Sequence, residues 1–316
     1  MKMNGPPTIS LVVIGCNSEN TLRSIYHGRY LEVLREMCGE LIYVDSASRD
    51  DSAAFMAAAG FAVRRLCPDG VMNAAAGRAV GTAASQSHLI LYLDSDMELE
   101  HPEKVGELAA QVLESPFCGV VGEVVDVLPD GTRRLRVRKV GPRHEATSFG
   151  GFLIIEREAV LQAGNWNSGL CANEELELHC RLTRKGQRVL YRREFRVFHH
   201  TGFHSSPLNQ LAALYIPWVA PRRYGAFGKV IHSSLRGGFL GAVIRHFPEP
   251  FLLLLALLAF FGLRTPWPGV ALLLFYEGVL LRRRSWKFNA VVPGVLLSAP
   301  YGFLAYRQKQ ARELSE

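Results

Sequence analysis

Short apolar runs alternate with helix-like patterns through the first half of the chain. Residues 9–14 and 41–44 are apolar runs with the length and bounding turns of buried strands, and residues 61–66 and 88–93 are further strand candidates. Between them, apolar side chains at helical spacing predict helices over residues 21–37, 52–59 and 73–87. This order predicts a Rossmann-like α/β fold, in which a mostly parallel sheet has helices on both faces.

A hairpin is predicted after this half. Residues 101–113 are helix-like, and the strand-like segments 120–127 and 133–140 flank a Pro-Asp-Gly turn at residues 129–131. The second segment is strongly basic, which is typical of a solvated sheet edge, although binding of an anionic acceptor is an alternative. Its basic residues are Arg133, Arg134, Arg136, Arg138 and Lys139.

The last third of the chain is apolar. Residues 251–263, 269–281 and 289–306 carry almost no charge, Glu277 excepted. Each run is shorter than the roughly 20 residues that span a bilayer core. Flanking residues could lengthen them, or they could form a re-entrant hairpin or lie in the interface; a soluble core is the remaining alternative. Aromatic side chains at their margins suit a headgroup belt. We therefore expect C-terminal apolar membrane helices.

Charge is divided unevenly along the 316 residues. The formal net charge is +7, but 13 Lys and Arg against 4 Asp and Glu from residue 201 onward give +9, which leaves −2 for the first 200 residues. The basic excess therefore accompanies the apolar part, where it matches anionic lipid headgroups, and we expect no nucleic-acid partner. The six cysteines lack paired CxxC spacing, which favours reduced thiols in a cytosol-facing domain.

Two carboxylates, Asp94 and Asp96, follow the apolar run at residues 88–93. Alternate side chains of an extended strand point the same way, so these two can converge. Two converging carboxylates are unfavourable unless a cation lies between them. Mg²⁺ and Mn²⁺ accept such oxygen ligands, and a diphosphate would supply the others. A solvated turn is the alternative for this pair alone.

The surrounding motifs resemble those of the family-2 glycosyltransferases, inverting enzymes with the GT-A fold. Residues 11–17 are similar to the family's first strand and its asparagine-containing turn, residues 42–52 to the pattern V-D-D-G-S-x-D-x-T, and residues 77–81 to A-R-N-x-G. Ser46, Ala47 and Ala79 depart from these patterns. The resemblance implies that the nucleotide-sugar donor is bound by Asn17, Asp45, Ser46, Asp50, Arg78, Asp94 and Asp96.

The resemblance continues through an acidic pair. Residues 149–155 look like the family's segment beneath the acceptor, and residues 164–167 resemble the G-x-F-D that precedes its Glu-Asp pair. Glu174 and Glu175 occupy the place of that pair, whose second member is the general base. By position this is Glu175, with Glu174 as the other catalytic candidate. An acidic first turn that suits the helix dipole is the alternative.

A histidine pair, His199 and His200, follows the predicted strand at residues 196–198. Family members often carry a histidine here that completes the metal or diphosphate site. The resemblance thus implies a Mg²⁺ or Mn²⁺ site drawn from Asp94, Asp96, His199 and His200. Surface or core histidines are the alternative.

Together these features predict three regions: a GT-A nucleotide-sugar glycosyltransferase domain over residues 1–205, amphipathic interfacial helices over 206–248, and membrane-embedded helices with a basic tail over 249–316. The expected reaction is inverting transfer of a sugar to a lipid-linked or membrane-proximal acceptor in envelope glycolipid or polysaccharide synthesis. The catalytic domain is expected at the membrane, facing the cytoplasm. Alternatives are transfer to a polyprenyl phosphate, a nucleotidyltransferase, and a non-catalytic nucleotide-binding membrane scaffold.

Overall fold

A computed structural model of the chain describes most of its residues. The described ranges are 8–67, 71–136, 144–146, 149, 151–201, 215–216, 224–263, 266–282 and 288–306. They belong to two compact units, one ending at residue 205 and the other covering residues 206–306. Arg138 and Lys139 of the predicted hairpin, and much of the segment expected at the interface, lie outside the described residues.

Within the described residues, the first unit contains a nine-stranded sheet. Its strands are β1 Ile9–Gly15, β2 Glu40–Asp45, β3 Ala62–Arg65, β4 Leu89–Asp94, β5 Met97–Leu99, β6 Gly119–Val127, β7 Arg133–Leu135, β8 Leu153–Glu156 and β9 Val189–His200. The order is β3-β2-β1-β4-β8-β6-β9-β5, with β7 paired to β6. The predicted parallel arrangement is confirmed for β1 to β4. Because β8 runs antiparallel to both β4 and β6, the whole sheet is mixed.

The helices of this unit follow the predicted pattern with one correction. They are α1 Glu19–Ile25, α2 Gly28–Met37, α3 Ser52–Ala58, α4 Ala74–Ala84, α5 Val105–Leu113, α6 Arg157–Gln162 and α7 Glu174–Arg184. The prediction of a single helix at residues 21–37 is wrong, since the helix is interrupted at residues 26–27 between α1 and α2. Tyr26 is buried there with edge-on contacts to the rings of Tyr30 and Phe61, and Gly28 has a φ of +51°.

The core lies on both faces of the parallel strands. Successive residues of a strand point to opposite faces, so Leu11 and Val13 face one apolar layer while Val12 and Ile14 face the other. The carboxyl ends of β1, β2 and β4 meet at one edge, where Gly15 lies opposite Asp45 and Ile14 opposite Asp94. The predicted hairpin is confirmed by the antiparallel pairing of β6 with β7. The shared edge positions the candidate site.

The second unit is helical in its described part. Its helices are α8 Ala226–Gly237, α9 Leu240–His246, α10 Glu249–Gly262, α11 Trp267–Arg282 and α12 Phe288–Ala305. The C-terminal apolar runs are therefore helices, as predicted. Their crossing of a membrane is not supported, because no single helix among the described residues is both long and apolar enough. Taken together, α9 and α10 pass that test of length and composition, with a bend of 93° between them.

Candidate active site

The shared sheet edge begins with a close turn at the end of β1. The backbone N–H of Ser46 donates to Gly15 O at 2.8 Å, and that of Ser95 donates to Ile14 O at 2.8 Å. A Cβ on Gly15 would lie 2.7 Å from Ser95 Cβ and 2.8 Å from the Tyr43 hydroxyl. Such distances leave no room for a side chain, so the three strand ends can converge only with glycine at this position.

The predicted donor loop is held by side-chain to backbone hydrogen bonds. Asn17, with a φ of +51°, accepts a hydrogen bond at Oδ1 from Arg49 N and donates its own N–H to Ser48 Oγ, both at 2.8 Å. Asp45 is buried and accepts at Oδ2 from Ser48 N at 3.0 Å. Its Oδ1 is buried without a hydrogen-bond partner among the described residues. Asn17, Asp45 and Ser46 thus form one packed corner.

Asp50 has a structural role in this corner. Its Oδ2 accepts from Glu19 N at 3.0 Å, and its Oδ1 accepts from Ser52 N at 3.1 Å. Burial acts to raise the pKa of Asp50, but the hydrogen bonds from Ser52 and Glu19 hold it below its usual value. The carboxylate therefore ties the beginnings of α1 and α3 together, and the predicted donor contact of Asp50 stays a prediction.

A buried guanidinium connects the carboxylates of the two acidic motifs. The Arg78 side chain on α4 is only 3% exposed. Its Nη2 donates to Asp94 Oδ1 at 2.8 Å and its Nη1 donates to Glu174 Oε1 at 3.0 Å. The guanidinium also lies over the Trp166 ring, 4.9 Å from the centroid. Arg78 thereby joins the end of β4 to the beginning of α7, which are 80 residues apart in sequence.

The second carboxylate of the acidic pair is held by the backbone. Glu175 Oε1 accepts from Gly151 N at 2.8 Å and lies 4.0 Å from Arg78 Nη2. The Glu175 side chain is 22% exposed, compared with 12% for Glu174. Gly151 has a φ of +77°, and a Cβ there would lie 2.7 Å from Asp94 Oδ2. This glycine therefore allows the two acidic motifs to approach each other.

The electrostatics of the site favour an added cation. Burial raises the pKa of Asp94 and of Glu174, and the Arg78 charge acts in the opposite direction on both. Burial disfavours the charge of Arg78, yet the neighbouring carboxylates raise its pKa. Four carboxyl groups, those of Asp94, Asp96, Glu174 and Glu175, lie in the two acidic motifs around this one guanidinium, and His199 lies beside Asp96. A group of like charges of this kind is stabilised by a bound cation.

The histidine pair is separated by strand alternation. His199 Nε2 lies 3.3 Å from Asp96 Oδ2, whereas His200 Nε2 lies 3.0 Å from Glu98 Oε2. Burial lowers the pKa of His199, but its contacts with Asp96 and Asp126 raise it overall. The structure thus places His199, and not His200, beside the predicted metal-binding carboxylate.

The residues present can supply part of a metal site. Among the described residues, no group of three or more His, Cys, Asp or Glu side chains is arranged to hold an ion. Asp96 and His199 lie 3.3 Å apart, close to the roughly 3 Å between adjacent ligands of an octahedral ion with bonds of about 2.1 Å. Asp94, expected as a further ligand, is bound by Arg78. Asp96 and His199 are therefore two residues whose spacing would suit adjacent ligands of a divalent ion.

Several residues of this site lie in segments that the sequence analysis singled out, but their roles at the site were not identified from the sequence. They are Gly151, which holds Glu175, Trp166, which lies against Arg78, and Asp126 with Arg136, which lie beside His199. One signal was available, since Asp126 is a carboxylate within a strand that is otherwise buried and mostly apolar. Burying a carboxylate costs free energy unless a partner is present.

This mixed sheet, with its acidic carboxyl edge, has the GT-A fold. A similar solved structure is the mannosyltransferase PcManGT from Pyrobaculum calidifontis in complex with GDP-Man and Mn²⁺, with 14% identity, 96% of this chain and 88% of that chain covered, and a TM-score of 0.56. Another is S. aureus TarS 1–349 in complex with UDP-GlcNAc, with 14% identity, 75% and 73% covered, and a TM-score of 0.51. The chain spans about half, 52%, of the matched GalNAc-T7 chain, with a TM-score of 0.48.

At these identities the likeness shows the fold alone. No protein-family profile matches the sequence. No protein of curated function matches it either.

Proposed function

We propose that the protein is a metal-dependent inverting glycosyltransferase that moves a sugar from a nucleotide-sugar donor to a lipid-linked or membrane-proximal acceptor. The observation that supports this most is the Arg78 cluster, in which Asp94 and Glu174 bind one buried guanidinium with Glu175 beside it. The cluster lies at the carboxyl edge of a GT-A sheet, where ligands of open α/β sheets bind.

The negative charge of this sheet edge indicates how a nucleotide-sugar donor would be bound. Its excess of carboxylates would repel a nucleoside diphosphate, so Asp96 and His199 are assigned to hold Mg²⁺ or Mn²⁺ between protein and diphosphate. When bound, such an ion neutralises charge that develops on a departing diphosphate. Asp94 is assigned to orient Arg78, because its Oδ1 accepts a hydrogen bond from Arg78 Nη2. Asn17, Asp45 and Ser46 line the same edge and are assigned to the nucleotide.

The two glutamates have different roles in this proposal. Glu174 is held by Arg78 and is the less exposed of the two, so it anchors α7 to the site. Glu175 has Oε1 fixed by the Gly151 N–H and is more exposed. It is assigned as the base that takes the proton of the acceptor hydroxyl while the hydroxyl oxygen attacks the anomeric carbon and the bond from that carbon to the diphosphate oxygen breaks, which releases the nucleoside diphosphate.

The second unit is assigned to the membrane. Large apolar side chains are exposed on its helices, among them Leu258, Phe261, Leu274 and Leu304. Burial of such side chains in lipid is favourable, and the basic excess after residue 201 suits an anionic cytoplasmic leaflet. With this assignment, we extend the proposal to a catalytic domain that faces the cytoplasm and acts in envelope glycolipid or polysaccharide synthesis.

The test is metal-dependent turnover by the full chain purified in detergent. A panel of UDP-, GDP- and dTDP-sugars with Mn²⁺ or Mg²⁺ should give hydrolysis of one donor class. Asp96→Ala should abolish this, and Glu175→Gln should lower the rate of sugar transfer about 10²- to 10⁴-fold. Glu158→Gln is the matched control, since Glu158 occupies the first turn of α6 as Glu175 does in α7. Full activity in both Asp96→Ala and Glu175→Gln would refute the proposal.

The same variants separate the acceptor classes. The apolar and basic second unit also suits a polyprenyl phosphate, whose oxygen is already ionised and requires no base. With that acceptor, Glu175→Gln would change the transfer rate little while Asp96→Ala still abolished it. Metal-dependent nucleotide binding without any turnover would instead favour the non-catalytic scaffold.

A further inference from the structure

A carboxylate that the proposed reaction does not use lies behind His199. Asp126 is in β6, directly opposite His199 of β9 in the strand register. Its Oδ1 lies 2.7 Å from His199 Nδ1, and both residues are buried. The other ring nitrogen, Nε2, lies 3.3 Å from Asp96 Oδ2. One imidazole therefore connects a buried carboxylate to the carboxylate at the metal-binding edge.

In this arrangement Nδ1 of His199 faces Asp126 and Arg136, so that Nε2 is the ring nitrogen on the side of Asp96. An ionised carboxylate only accepts hydrogen bonds, so its contact with Nδ1 is a hydrogen bond in the tautomer that carries the proton on Nδ1. The lone pair of a neutral imidazole is then on Nε2, which faces Asp96. Carboxylate, histidine and metal in this order recur in proteins, and the outer carboxylate orients the ring and makes it a stronger ligand.

Arg136 holds the carboxylate in place. Its Nε lies 2.9 Å and 3.0 Å from the two oxygens of Asp126, and its Nη2 lies 2.7 Å from Oδ1. Nη2 also lies 2.6 Å from His199 Nδ1, and both of these nitrogens lie 2.7 Å from Asp126 Oδ1. In one tautomer Arg136 and His199 both donate to Oδ1. The alternative is that Nδ1 accepts from Arg136. In that tautomer Nε2 would carry a proton toward Asp96 and would have no lone pair for a metal ion.

We propose that Asp126 is a positioning residue, which sets the orientation and tautomer of His199 so that Nε2 and Asp96 together bind the divalent ion. This inference rests on the proposed function, because it assumes a metal-bound donor. The pairing of β6 with β9, which lies away from Asn17, Asp45 and Ser46, would then directly affect the affinity for the metal ion.

The experiment measures Mn²⁺ binding to the full chain by calorimetry and electron paramagnetic resonance, with saturating UDP and, in parallel, GDP. Asp126→Asn and Asp126→Ala should raise the Mn²⁺ dissociation constant about 10- to 100-fold. The ¹⁴N coupling of a bound histidine should be present in the wild-type protein, lost in His199→Gln and reduced in Asp126→Asn. Glu98→Gln is the matched control, since the Glu98–His200 pair is similar in length at 3.0 Å, and it should leave both readouts unchanged.

Arg136→Gln separates positioning from general stabilisation. It removes the Asp126–Arg136 ion pair but leaves Asp126 beside His199. It should lower thermal stability as Asp126→Asn does, while changing the Mn²⁺ dissociation constant less than about 3-fold. Loss of a carboxylate that is hydrogen-bonded to a metal-binding histidine costs about 10-fold or more. Equal losses of affinity in Arg136→Gln and Asp126→Asn, or a loss in Arg136→Gln alone, would overturn the inference. Wild-type affinity in Asp126→Asn would overturn it too, and no Mn²⁺ binding by the wild type would count against the proposed function itself.

Discussion

Arg78 Nη2 lies 2.8 Å from Asp94 Oδ1, so that a guanidinium in the interior of α4 binds the carboxylate at the end of β4. The Arg78 side chain is almost completely buried, and the same group also binds Glu174. A buried charge that loses its partner keeps its desolvation cost and gains nothing in return. The free energy of unfolding should therefore depend on Arg78 much more than on the exposed ion pairs of the same chain.

Arg78→Met removes the guanidinium while keeping an unbranched side chain. We expect the free energy of unfolding to fall by about 3–5 kcal/mol, because Asp94 and Glu174 remain buried without their cation. Chemical denaturation with a spectroscopic readout measures this. The matched control is Arg29→Met, since the Arg29–Glu36 pair is 70% and 53% exposed and solvent screening makes such pairs contribute much less than a buried one. Equal losses in the two variants would contradict the assignment of Arg78 as the buried centre.

The cost of Arg78→Met should depend on pH. Burial raises the pKa of Asp94 and Glu174, and Arg78 opposes this shift, so its removal raises both values further. A carboxyl group with a raised folded-state pKa contributes stability that is complete below its unfolded pKa, about 4, and that is lost as pH rises through the folded value. The stability difference between wild type and variant should thus be larger at about pH 7.5 than at about pH 5. If the difference is the same at both pH values, then protonation of Asp94 and Glu174 does not affect the free energy of unfolding of the variant.

The first four strands could be predicted because their signal is local. Continuous apolar runs such as residues 9–14 and 88–93 are buried on both faces, and each is bounded by polar turns. The interruption between α1 and α2 was not predicted because its signal is not local. It depends on Tyr26 packing against Phe61, a residue that belongs to a later part of the chain.

The acidic motifs were recognisable in sequence, but their connection was not. Nothing in the chain order indicates that Arg78 would bind Asp94 and Glu174 at once, since the contact depends on how α4 and α7 meet the sheet. The choice between His199 and His200 likewise required the strand register, in which Met97 lies opposite His199. Alternation in β9 then turns one ring toward Asp96 and the other toward Glu98.

Residue 151 should have to be glycine for two reasons, its backbone conformation and the close approach of neighbouring side chains. Gly151→Ala places a Cβ within 2.7 Å of Asp94 Oδ2 and 2.6 Å of Met97 Cε, at a φ of +77°. The φ alone costs about 1–2 kcal/mol for a residue with a Cβ. The contact should also displace Asp94 and the N–H that holds Glu175, and misplacement by about 1 Å can lower a reaction rate about 10²-fold.

Gly186→Ala provides the matched control for this prediction. Gly186 has a φ of +76°, and a Cβ there would have no atom within 4 Å. Both variants should lose stability in thermal unfolding, and Gly186→Ala reports the part of that loss that comes from the backbone alone. Only Gly151→Ala should lose nucleotide affinity and donor turnover. Comparable turnover in the two variants would mean that the close approach of Gly151 to Asp94 is not needed for function.

Membrane attachment should depend on the exposed apolar face of α10. Leu258 and Phe261 are 62% and 79% exposed, so changing both to aspartate should leave the packing of the helix intact. Burying one such side chain in lipid contributes about 1.5–3 kcal/mol, and the double variant should therefore lose vesicle binding by about 10²-fold or more. Flotation with vesicles containing anionic lipid measures this. Leu135→Asp is the control, because Leu135 is 55% exposed in the first unit and should not affect flotation. If the double variant floats with vesicles as the wild type does, then α10 is not the surface that meets the bilayer.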